Sequence, residues 1–129
     1  MHRVAAKRIL IVDASLLAKN MYRLLFMNLP GYEVDYWEKL APFSGKKGPH
    51  LIILNSNALS VGQSVDLPTT TPVILLASKG RTDLHESFQS KKEVTFIEKP
   101  FYPYDLLSEI NRILVKQPKV KKRGRPLKR

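Results

Sequence analysis

Apolar residues in this chain recur in short unbroken runs separated by stretches with helical spacing. Residues 8–12 (Arg-Ile-Leu-Ile-Val) are β-branched and aliphatic up to Asp13, the pattern of a parallel strand buried on both faces. Ser15 is placed to cap a helix, Leu17, Met21, Leu24 and Leu25 recur at helical spacing, and Pro30-Gly31 stops the pattern. In residues 32–37, Val34 and Tyr36 alternate with Glu33 and Asp35, which predicts a second strand. A short helical segment is expected at 38–43, then a loop through 44–49. Two further runs, 51–54 and 73–77, end at the polar clusters Asn55-Ser56-Asn57 and Ser78-Lys79-Gly80. The crossover between them holds Gly62, Pro68 and three threonines, so any helix there is short or irregular. Thr82 or Asp83 is expected to cap a helix reaching Phe88, and residues 94–97 make a fifth strand. Leu106, Leu107, Ile110, Ile113 and Leu114 then define the most amphipathic helix of the chain. Five strands alternating with helices predict an α/β fold, a doubly wound five-stranded parallel sheet of the flavodoxin-like type.

Size and charge divide this picture in two. With 129 residues, 43% of them hydrophobic, the chain can bury one core and not two. The formal charge of +11 is concentrated at one end. Residues 116–129 hold eight Lys or Arg and no acid, which leaves about +3 on residues 1–115. The expected organisation is a folded domain over 1–116 and a disordered basic tail over 117–129. With Val120 and Leu127 as its only large apolar residues, the tail cannot offset its ordering entropy by burial. The chain has no cysteine, no apolar run long enough to span a bilayer and no signal-peptide pattern, so a cytoplasmic protein that does not insert into membranes is expected. His2, His50 and His85 are scattered on a terminus, a loop and a helix, and are read as structural. Neither a metal nor any other cofactor is expected.

The order and spacing of Ile9-Leu10-Ile11-Val12-Asp13, Gly31-Tyr32-Glu33-Val34, Leu51-Ile52-Ile53-Leu54-Asn55, Pro72-Val73-Ile74-Leu75-Leu76-Ala77 and Glu98-Lys99-Pro100-Phe101 resemble a bacterial response-regulator receiver domain over about residues 7–116. The resemblance implies a phosphorylation pocket at the strand ends and a cis Lys99-Pro100 bond. Receivers use an acidic pair to hold Mg²⁺, an aspartate as phosphoryl acceptor, a Ser or Thr hydroxyl, and a lysine. The matching positions here are Asp13 with Ala14, then Asn55, Ala77 and Lys99. A carboxamide at 55 cannot supply the nucleophile for an acyl phosphate, and the missing oxygens weaken any Mg²⁺ site. Ser78, one place along from Ala77, could restore a hydroxyl but not the acceptor. The pocket is therefore degenerate, no residue is read as catalytic, and Asp13 and Lys99 are expected to persist as a salt bridge. Phe96, Tyr102 and Tyr104 fall where related receivers present a partner surface, which implies a protein partner or a homodimer.

In the tail, Lys121-Lys122-Arg123-Gly124-Arg125-Pro126, followed by Lys128 and Arg129, resembles an AT-hook. Glycine lets the backbone approach the groove floor, the flanking arginines fit the narrow, negative minor groove of A/T-rich DNA, and proline keeps the chain extended. The surrounding cations contact phosphates without reading sequence. The expected function is a non-enzymatic, phosphorylation-independent regulatory or architectural protein that binds A/T-rich DNA, with the nucleoid as a setting. The alternative is a two-component signalling adaptor whose tail is only a nonspecific polyanion anchor.

Overall fold

In a computed structural model the chain is described at residues 7–27, 31–43, 48–62, 65–68, 70–89, 91 and 93–116. The basic tail, His2 and Pro30 lie outside the described residues. The elements run β1 (Lys7–Val12), α1 (Leu16–Met27), β2 (Tyr32–Trp37), β3 (Leu51–Asn55), a 3-10 turn (Ser56–Ala58), β4 (Val73–Ala77), α2 (Asp83–Ser87), β5 (Val94–Glu98) and α3 (Pro103–Lys116). The strands form one parallel sheet in the order β2-β1-β3-β4-β5. This is the predicted doubly wound sheet.

The unbroken apolar runs are central strands, because only a strand covered on both faces can bury every residue. Ile9, Ile11, Ile53, Ile74 and Leu76 point into a core shared with Tyr22 of α1 and Leu106, Ile110 and Leu114 of α3. Their alternates Leu10, Val12, Ile52, Leu54 and Leu75 meet Leu59, Leu84 and Phe88 on the opposite face. The alternating run, β2, lies at the sheet edge with Glu33 and Asp35 exposed. Gly31 leads into it at φ +95°, a left-handed conformation that glycine adopts without steric cost.

Local expectations hold in part. Ser15 caps α1 as expected, its Oγ accepting from the Ala18 amide at 3.2 Å. Of the four residues whose spacing announces α1, only Met21 and Leu25 pack inward, beside Ala18, Tyr22 and Phe26; Leu17 and Leu24 are exposed. The helix expected at 38–43 does not form. Pro42 would leave a helical carbonyl without its donor, and Trp37 instead stacks on Phe43 with ring centroids 5.2 Å apart. Neither Thr82 nor Asp83 caps α2: Thr82 sits in helical φ/ψ, which aims its side chain away from the free amides, and the Asp83 carboxylate is taken by Arg81. No helix among the described residues is long and apolar enough to cross a membrane.

Candidate functional site at the strand ends

Parallel strands deliver their last residues to one edge of the sheet, and here that edge collects Asp13 after β1, Asn55 at the end of β3, Ala77 at the end of β4 and Lys99 after β5. The Asp13 carboxylate is 9% exposed and accepts four hydrogen bonds. Its Oδ2 takes the Tyr22 hydroxyl at 2.6 Å and Asn55 Nδ2 at 2.9 Å. Its Oδ1 takes the Ser15 amide and Asn57 Nδ2, both at 2.9 Å. Two carboxylate oxygens offer about four acceptor positions, so this one is saturated by neutral donors.

Asn55 stands between Asp13 and Lys99. Its amide nitrogen donates to the carboxylate, while its Oδ1 accepts from Lys99 Nζ at 2.6 Å and from the Asn57 amide at 3.0 Å. The expected Asp13–Lys99 salt bridge is therefore replaced by a relay through a carboxamide. The two ion pairs among the described residues are Arg81–Asp83 and Arg112–Glu109. Burial pushes the Lys99 ammonium below its usual pKa, the charge of Asp13 opposes that shift, and the charge of Arg81 adds to it. Tyr22 is 1% exposed, and burial first, then the hydrogen bond and charge of Asp13, drive its phenol far above the ordinary range.

The loops around the pocket are tied to one another. Asn57 also accepts the Ala14 amide at 2.9 Å, which fixes the turn after β1 to the turn after β3. Ser78, the hydroxyl nearest Ala77, pairs with Ser56 Oγ at 3.2 Å. Arg81 donates to the carbonyls of Ser56 and Leu59, each at 3.1 Å, and clamps the 3-10 turn to the loop after β4. Tyr22, Asn57 and Arg81 belong to this arrangement and were not singled out in the sequence. Tyr22 carried the one available signal, a lone hydroxyl on the otherwise apolar inward face of its helix.

These residues do not fit a Mg²⁺ ion. Ala14 offers no side-chain oxygen, both Asp13 oxygens are occupied, and the Asn55 oxygen is bound to a cation. Of the partner-surface residues, Tyr102 and Tyr104 are 76% and 73% exposed. Phe96 is partly covered within its own domain, stacked on His85 at 4.3 Å and edge-on to Phe88. His50 has a structural contact, its Nδ1 accepting the Arg8 amide at 2.8 Å. The Lys99-Pro100 peptide is cis.

The strand order and the strand-end cluster define a receiver fold. Solved structures share it. A CheY-like response regulator from Mesorhizobium loti superposes with a TM-score of 0.68 at 16% identity, covering 84% of this chain and 98% of that one. A signal receiver domain from Clostridium thermocellum gives 0.66 at 19%, covering 84% and 97%. The ChxR receiver domain from Chlamydia trachomatis gives 0.61 at 15%, covering 88% and 100%. No family model matches the chain, and no curated protein matches it in sequence.

Proposed function

We propose that this protein is a non-enzymatic regulatory or architectural protein whose receiver-like domain works without phosphorylation and whose basic tail binds the minor groove of A/T-rich DNA. The observation that carries the first half is the saturated Asp13 beside a carboxamide at position 55. No carboxylate stands where a phosphoryl group would be accepted, and the side-chain oxygens of Asp13 and Asn55 are already engaged by donors of the chain. The folded domain then serves as a fixed surface for a protein partner or a second copy. The second half is supported by the composition of residues 117–129, where Arg123-Gly124-Arg125-Pro126 is flanked by lysines on a segment without acids.

One experiment addresses both halves. The protein is incubated with a small-molecule phosphodonor and Mg²⁺, its intact mass is measured promptly, and its affinity for A/T-rich and G/C-rich duplexes is measured before and after. The expected outcome is an unchanged mass and an unchanged preference for A/T-rich DNA. A stoichiometric phosphate adduct in the strand-end pocket would overturn phosphorylation independence. Equal affinity for both duplexes at physiological salt would overturn minor-groove reading and leave a polyanion anchor.

A further inference from the structure

Lys99, Asn55 and Asp13 bring an amine, a carboxamide and a carboxylate into consecutive contact. Lys99 Nζ lies 2.6 Å from Asn55 Oδ1, one carbonyl bond from the Cγ carbon, and Asn55 Nδ2 lies 2.9 Å from Asp13 Oδ2. The Asn57 amide reaches the same Oδ1 at 3.0 Å. Lys99 follows β5 and Asn55 ends β3, while the strand between them, β4, ends in Ala77, whose methyl offers neither side chain a hydrogen bond. Asn55 is 6% exposed and Asp13 9%, so water is a poor competitor at that carbon. The backbone is a poor competitor too. Closing Asn55 on the Ser56 nitrogen needs that nitrogen turned toward the side chain, whereas Asn55 is extended at ψ 136°.

We propose that Lys99 and Asn55 condense into a side-chain amide, an isopeptide bond that ties the loop after β5 to the end of β3 and releases ammonia. The step needs no oxidant, reductant or second substrate. Lys99 reacts as its neutral amine, the form that its burial favours. Nζ bonds to Cγ, the carbonyl electron pair moves onto Oδ1, and the Asn57 amide stabilises the charge that gathers there. As the pair returns, the Cγ–Nδ2 bond breaks. The proton that Nζ gives up travels to Nδ2 by way of the Asp13 carboxylate, and that nitrogen leaves as ammonia. The earlier proton, lost when the Lys99 ammonium became an amine, is taken up by the released ammonia in water. Holding amine and carbon side by side removes the encounter that amide formation between free molecules would require. The bond joins positions 44 residues apart, and it stands on this geometry, apart from both the DNA and the phosphorylation readings.

The test uses the full chain, folded and held for several days at neutral to mildly alkaline pH before denaturation. Its intact mass should fall short of the sequence mass by one ammonia in most of the molecules. Trypsin should then release a branched peptide in which residues 48–79 and 93–112 are joined through Asn55 and Lys99, cleavage after Lys99 being blocked by Pro100. Lys99→Arg, which keeps the positive charge but has no nucleophilic amine, should hold its full sequence mass. A wild type of full sequence mass with the two peptides separate would overturn the proposal, whether or not the variant folds. So would loss of ammonia in Lys99→Arg, which would place the reaction elsewhere, or conversion of Asn55 to aspartate, which would show that water reaches the carbon first. A phosphate adduct raises the mass where this bond lowers it, so failure of the phosphorylation reading and failure of the cross-link give different results.

Discussion

Tyr22 sits where a purely apolar side chain would complete the inner face of α1, and it brings a hydroxyl to a buried carboxylate at 2.6 Å. Removing that oxygen with Tyr22→Phe leaves Asp13 one donor short in a site water does not freely reach. The expected loss is about 1.5–3 kcal/mol of stability at neutral pH, read from denaturant unfolding. The pH dependence has a definite sign. The folded phenol keeps its proton where the unfolded one, with a value near 10.0, releases it. Stability is therefore indifferent to this group below about pH 10 and falls as the pH rises above it. In an absorbance titration of the tyrosinates, Tyr22 should ionise only as the protein unfolds, and Tyr22→Phe should flatten the alkaline loss. Ionisation of the full set of tyrosines before unfolding would contradict the geometry.

At the scale of elements, the loops around the pocket depend on Arg81 more than on any helix. Its guanidinium holds two carbonyls of the turn after β3 while pairing with Asp83 through both of its carboxylate oxygens. Lysine, with a single compact ammonium, has no fork to divide in this way. Arg81→Ala should leave the sheet intact but expose the Leu59 amide, which donates to Ser56, to faster hydrogen exchange, while amides of β3 keep their protection. Loss of protection throughout the sheet would mean that the clamp is global. All five strands were legible in the sequence, the central β1, β3 and β4 as unbroken apolar runs, β2 by its alternation and β5 as a short apolar segment. The segment at 38–43 was not, since its apolar residues suit an extended strap with stacked rings as well as a helix. Asn55 in place of an acceptor was also legible. Its bridging role was not, because spacing along a chain cannot say which of two carboxamide ends faces a carboxylate. That Leu17 and Leu24 face outward was not legible for a related reason: helical spacing announces a helix but does not say which face is covered.

For the whole molecule, charge is concentrated at one end of the sequence. On the reading proposed above, substitutions in residues 117–129 should alter DNA affinity and leave melting unchanged, because that segment carries basic residues and only two large apolar ones. Replacing both Arg123 and Arg125 with lysine keeps the charge and should reduce A/T preference more than bulk affinity, since an ammonium does not reproduce a planar, weakly hydrated guanidinium in a narrow groove. Lys119→Ala should instead weaken binding to both duplexes about equally and make the salt slope shallower by up to about one unit. Competition binding at several salt concentrations separates the two patterns. Full A/T preference in the double lysine variant would leave only general attraction to polyanions.

The four donors around Asp13 have a consequence for how such a protein could be controlled. Its buried charge is balanced from within the fold, and on the phosphorylation-independent reading proposed above the strand-end pocket would store no record of a past signal and chelators should leave the protein unchanged. On that reading the protein would convey information by how many copies are present. Control would then pass to synthesis and turnover, a dose meter in place of a switch.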